Sequence, residues 1–125
     1  MKYLFAILLM LPSLLLMLPS LAWADTFANC QFNTECLEND ACAATDYKMT
    51  IVHDDSFGFI MQTVAENIKG VVFDNGAPNA SSTLMGQTET AAHLLTIQPD
   101  GAARYTVHMQ GPMLINYLGK CETIE

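Results

Sequence analysis

His53-Asp54-Asp55 is the densest grouping of chemically capable side chains in this 125-residue chain. An imidazole beside two carboxylates could ligate a metal or move a proton. Ser56 follows directly, a hydroxyl that a histidine base could activate. A nucleophilic serine needs base and orienting carboxylate to converge in space, and no G-x-S-x-G elbow surrounds Ser56. Asp54-Asp55-Ser56 also closes an alternating run, where aspartate commonly caps a polar turn. We therefore expect a turn here, with a small hydrolase or metal-binding site at His53, Asp54 and Asp55 as the alternative.

His93 and His108 are a second candidate, because two histidines across a β-hairpin can share a metal. Gln98-Pro99-Asp100-Gly101-Ala102 lies between them and decides the register. A two-residue Asp100-Gly101 turn would set His93 opposite His108, but it needs positive φ at both residues. Proline's fixed φ suits instead a type I turn centred on Pro99 and Asp100, with Gly101 left-handed. Gln98 then pairs with Ala102, Leu95 with Tyr105, Ile97 with Ala103 and His93 with Val107, which makes one apolar face. Thr96 faces Arg104 and Leu94 faces Thr106 on the other. A slip of one residue would turn every side chain over. In this register the histidines point to opposite faces. His93 is then expected in the core or at its rim, His108 at the surface, and no two-histidine metal site forms.

The elements that must position these groups lie beyond an export address. Lys2 precedes an almost wholly apolar run from Tyr3 to Leu18. Pro12 and Pro19 interrupt it, and Ala22-Trp23-Ala24 supplies a small-x-small cleavage pattern. Residues 1–24 are expected to be a cleaved signal peptide, and 25–125 a single exported β domain without a stable membrane anchor. No cysteine follows the cleavage site directly, so a lipid anchor there is excluded. Thirteen carboxylates then face Lys48, Lys69, Arg104 and Lys120, which takes the net charge from −8 with Lys2 to −9 without it. Such a surface repels nucleic acid and anionic lipid.

Cys30, Cys36, Cys42 and Cys121 are an even set in a small exported domain, which reads as two disulfides. Their spacing suits neither zinc pairs nor a redox C-x-x-C. Four cysteines allow three pairings. The preferred one joins Cys36 to Cys42 across a polar turn and Cys30 to Cys121 from first strand to last.

Short alternating runs punctuated by turn residues argue for an all-β antiparallel meander, closed into a partly open barrel or sandwich. Strands are expected at 46–53, 70–73, 83–87, 93–98, 102–109 and 113–120, with the longest loop at 74–79. Residues 57–69 also fit helical spacing through Phe57, Ile60, Met61, Val64 and Ile68, but the meander context favours a strand from Phe59 to Ala65. Tyr47, Tyr105 and Tyr117 fall on apolar phases and are expected in the core. Asn79-Ala80-Ser81 matches a glycosylation sequon, relevant in a host that modifies exported proteins.

Gly101-Ala102-Ala103-Arg104-Tyr105, followed by a late Cys121, resembles the C-type lysozyme inhibitors of the Gram-negative periplasm. Those are small exported β-barrels with a disulfide and a Ser-Gly-x-x-Tyr loop. Here Asp100 stands in the serine's place, and one more residue separates Gly101 from Tyr105. The clustered Cys30, Cys36 and Cys42 also depart from that family's arrangement. The resemblance implies Asp100, Arg104 and Tyr105 as candidate binding residues and a basic lysozyme as partner. Without it, the residues read as a non-enzymatic binding or interaction protein. That reading has no catalytic or metal-ligating residues and no cofactor, and its protein or small-molecule partner lies outside the cytoplasm.

Overall fold

The computed structural model describes residues 25–74 and 76–124. The signal-peptide expectation for residues 1–24 lies outside them. Eight strands follow in chain order: β1 (Asp25–Leu37), β2 (Ala43–Asp54), β3 (Gly58–Thr63), β4 (Asn67–Phe73), β5 (Ser82–Gln87), β6 (Ala91–Ile97), β7 (Ala102–Met109) and β8 (Met113–Thr123). Each pairs antiparallel with its neighbour in sequence, and β1 also pairs with β8, so the sheet closes into a barrel. Closure leaves no strand edge unpaired, which a partly open barrel would have done.

Alternation sets which side chains fill the interior. Ala28, Cys30 and Phe32 of β1, Met49 and Ile51 of β2, and Met61, Ile68, Leu84 and Leu95 of β3 to β6 are buried. Tyr105, Tyr117 and Cys121 complete the core on β7 and β8. A barrel of eight strands is just wide enough for side chains to fill it. The helical spacing over 57–69 has a simple origin here. Met61 and Ile68 are direct partners across the β3–β4 hairpin, so both point inward at a separation that a helix would also satisfy. β3 ends at Thr63 rather than Ala65. The Thr63 hydroxyl accepts from the amides of Ala65 and Glu66 at 3.2 and 3.1 Å, and this turns the chain.

The β6–β7 hairpin has the expected register: His93 with Val107, Leu95 with Tyr105, Ile97 with Ala103 and Thr96 with Arg104. The Gly101 amide donates to Gln98 O at 2.9 Å and the Gln98 amide to Ala102 O at 2.8 Å. Gly101 is required twice over. Its φ is +86°, and a Cβ there would lie 2.8 Å from the carbonyl oxygen of Cys121.

Both disulfides form as expected, Cys30–Cys121 and Cys36–Cys42. Cys30 and Cys121 are direct partners in the β1–β8 ladder. The bond thus locks the seam where the first strand meets the last. The seam is tight elsewhere too: a Cβ on Gly119 would meet Gln31 O at 2.0 Å, beside the irregularity at Phe32–Thr34.

Candidate functional site

Three tyrosines and one histidine share the barrel's interior toward the mouth where β1 ends and β8 begins. Register builds this cluster. Tyr105 stands opposite Tyr117, Tyr117 opposite Glu35, and Phe32 opposite Tyr47. The rings of Tyr47 and Tyr117 stack at 4.6 Å between centroids, Tyr105 and Tyr117 at 5.6 Å, and His93 and Tyr105 at 6.0 Å. His93 faces Gly86 on the adjacent strand, where a Cβ would meet Ile68 and the Lys69 carbonyl oxygen.

His93 is only 3 % exposed. Its Nε2 faces Glu66 Oε1 at 3.7 Å and Thr88 Oγ1 at 3.4 Å, while Nδ1 lies 2.7 Å from the Tyr105 hydroxyl. A carboxylate only accepts, so Nε2 carries the proton and Nδ1 accepts from the phenol. Burial lowers the His93 pKa, and the charge of Glu66 partly offsets this. Burial, with Tyr47, Tyr117 and Glu66 alongside, raises the Tyr105 phenol well above its ordinary range. Tyr117 is pushed up to about 12 by burial first and then by its hydrogen bond to Glu35. The cluster is therefore neutral, and every buried side-chain polar atom among the described residues has a partner.

The mouth above this floor is acidic. Glu35 and Glu66 reach the tyrosines and histidine, and Glu38, Asp40 and Glu89 lie on the adjoining turns or their approaches. Glu66 is positioned by the turn at Thr63, and the Glu38 carboxylate accepts from the Leu114 amide at 2.7 Å. None of the turns at this end holds a lysine or arginine.

The residues singled out from sequence are dispersed. His53 lies at the opposite mouth, exposed, with Nδ1 3.9 Å from Asp55 and its ring edge-on to Phe59 at 5.0 Å. The Asp54 carboxylate is engaged in the turn, where it accepts from the amides of Ser56 at 2.8 Å and Phe57 at 3.0 Å. Among the described residues, no group of three or more His, Cys, Asp or Glu could hold a metal ion. His108 is exposed on the outer wall, away from His93. Asp100, Arg104 and Tyr105 do not come together. Asp100 caps the Ala102 amide at 2.9 Å, Arg104 points outward and Tyr105 points into the core. Adjacent residues on one strand face opposite sides, so no single partner surface can contain both of the last two.

Glu35, Glu66 and Thr88 were not foreseen. The usable signal was the register itself. It sets Tyr105 diagonal to His93 on one face, within reach of a long side chain. The two acidic partners come from other hairpins, and no local pattern points to them.

The fold and cluster define an eight-stranded antiparallel barrel with a filled interior and a mouth where carboxylates border a His–Tyr cluster; Asp25, Asp54, Asp55, Asp74 and Asp100 lie toward the opposite mouth, away from that cluster. Compared with known proteins, the chain matches no family model, no curated protein and no solved structure.

Proposed function

We propose that the chain is a small exported, non-enzymatic binding protein whose partner presents a basic segment to the acidic mouth above the tyrosine cluster. The observation that carries this reading is the placement of charge around the tyrosine floor. Glu35 and Glu66 border Tyr117 and His93 with no cation in the surrounding turns, while all four Lys and Arg of residues 25–125 sit on the barrel wall. Carboxylates around a mouth suit a lysine or arginine side chain, and the ring of Tyr47 is the partly exposed one of the cluster. Two disulfides are compatible with an oxidising compartment, and we place the protein in the periplasm or outside the cell. Its wall bears Lys48, Lys69, Arg104 and Lys120, positions that lipid would contact in a membrane barrel, and its interior is apolar, the reverse of that class.

Capture from periplasmic or extracellular extract tests the proposal. Oxidised wild-type protein is expected to retain a basic partner that salt releases, and Glu35→Gln with Glu66→Gln to retain at least tenfold less. Equal capture by both proteins would remove the mouth as the binding site. Tight binding to a C-type lysozyme at moderate salt would select the inhibitor reading within this class, and no inhibition at micromolar protein would discard it. Hydrolase activity lost on changing His53 or Asp55 would overturn the non-enzymatic reading.

A further inference from the structure

Strands β3 to β6 contain no aspartate or glutamate, and their single charge is Lys69. In a chain with thirteen carboxylates, half of the barrel wall is free of them. Its outer face carries an apolar row instead. Val71 pairs with Met85, and Met85 with Leu94, so three exposed apolar side chains stand abreast across three strands. Phe73 extends the row along β4, and Phe57 flanks it beneath the Lys69 ammonium, 3.9 Å from the ring centre. Phe57, Val71, Phe73, Met85 and Leu94 are 56, 58, 52, 44 and 41 % exposed. An open groove runs between Phe57, Lys69, Val71, Met85 and Gln87.

Together these five side chains offer roughly 450 Å² of apolar surface. A standard interface takes about 800 Å² from each partner, some 57–65 % of it apolar. The row supplies that apolar share from one wall. A basic partner would find no carboxylate to meet here, whereas a second copy would bury none. The row is also its own complement. Met85 stands at its centre, and turning the wall about Met85 sets Val71 of one copy against Leu94 of the other.

We propose that two copies of this chain associate through the outer wall of β3 to β6, sheet against sheet, about a two-fold axis near Met85. Each residue contact then occurs twice, as a closed two-fold dimer requires. The flexible methionine side chain adapts to its own copy at the axis. Lys69, held over Phe57, lies at the margin, where its charge stays in water. The acidic ends of both barrels project away from the contact, so the mouths stay open and the inference stands independently of what they bind.

Sedimentation equilibrium of the oxidised protein, from micromolar to hundreds of micromolar, should show a reversible dimer. Met85→Glu should weaken association at least a hundredfold, because two carboxylates would meet at the axis. Leu94→Glu should weaken it at least tenfold. Lys120→Glu, exposed on β8 in the other half of the wall, should leave the mass unchanged, as should Glu35→Gln with Glu66→Gln. Thermal unfolding of each variant checks that the barrel is intact, and Met85→Cys should give a covalent dimer under oxidation without disturbing the native bridges. A monomer at every concentration, or a dimer indifferent to Met85→Glu, would overturn the proposal. Met85-dependent binding of a monomer to phosphatidylcholine vesicles would overturn it in favour of a lipid-facing wall. Loss of partner capture in the Glu35/Glu66 variant, with the dimer unchanged, separates the mouth reading from this one.

Discussion

The two halves of the barrel wall are held and exposed differently. The half formed by β7, β8, β1 and β2 contains the seam between first and last strands, locked by Cys30–Cys121. It also carries Lys48, Arg104 and Lys120 on its outer side, with Asp46 close enough to accept from Gln31 and to face Lys48 at 3.7 Å. The half formed by β3 to β6 is joined only by sequence-local connections (residues 64–66, 74–81 and 88–90), and has no disulfide and an apolar outer row. A closed barrel needs long-range closure at only one place, because every other neighbour is adjacent in sequence. The Cys30–Cys121 bridge sits where the entropic cost of pairing is greatest, and the half that folds from local hairpins leaves its surface available for contact.

The largest effect should come from breaking the seam. Replacing Cys30 and Cys121 by alanine opens a loop with a sequence separation of 91. On chain entropy this should cost about 4–5 kcal/mol in urea unfolding, against about 2 kcal/mol for removing Cys36–Cys42. Equal losses would mean that closure is not what the first bond supplies.

The next effect separates inside from outside within the acid-free half. Leu84→Ala and Leu95→Ala, both fully buried, should each lose about 2–5 kcal/mol. Their outward neighbours Met85→Ala and Leu94→Ala should change stability by less than about 0.5 kcal/mol at a concentration where the chain is monomeric. A large loss from the outward pair would show that the row serves folding rather than contact.

Tyr105→Phe deletes the donor to His93 Nδ1 while keeping the ring, and should cost about 1–3 kcal/mol at neutral pH. A smaller change should appear as a pH slope. The folded barrel holds His93 below its ordinary pKa of 6.5, so the unfolded chain binds the proton more readily. This contribution is complete above about pH 6.5 and is lost as the pH falls below it. His93→Gln should flatten that slope in thermal unfolding. At the alkaline end the sign reverses. Tyr117 is raised to about 12, so its contribution is complete below pH 10 and is lost as pH rises through 12.

Strand order and register were legible wherever a turn carried its own chemistry. Pro99-Asp100-Gly101 set the β6–β7 pairing residue by residue, because proline's φ and the left-handed glycine admit one loop and a buried face admits one register. The β3–β4 hairpin was half legible. Its turn at residues 64–66 has neither Gly nor Pro and depends on the Thr63 hydroxyl, so the strand appeared to run through Ala65. The candidate site was legible only in part. His93 and Tyr105 share one hairpin and follow from its register. Glu66 and Glu35 reach the cluster from the β3–β4 turn and from β1, and nothing local connects them to it.

Composition and local pattern thus determined an all-β chain, the inward phase of its tyrosines and the facing of its histidines, since these depend on alternation and turn geometry alone. Cysteine count allowed three pairings, and pattern favoured the one that forms. Tertiary structure decided the rest: that β1 meets β8 and closes the barrel, that four elements converge on one neutral His–Tyr cluster beneath carboxylates, and that Val71, Met85 and Leu94 stand in one exposed row. Each of those depends on which strands become neighbours around a closed circumference, a global condition that no window of sequence contains.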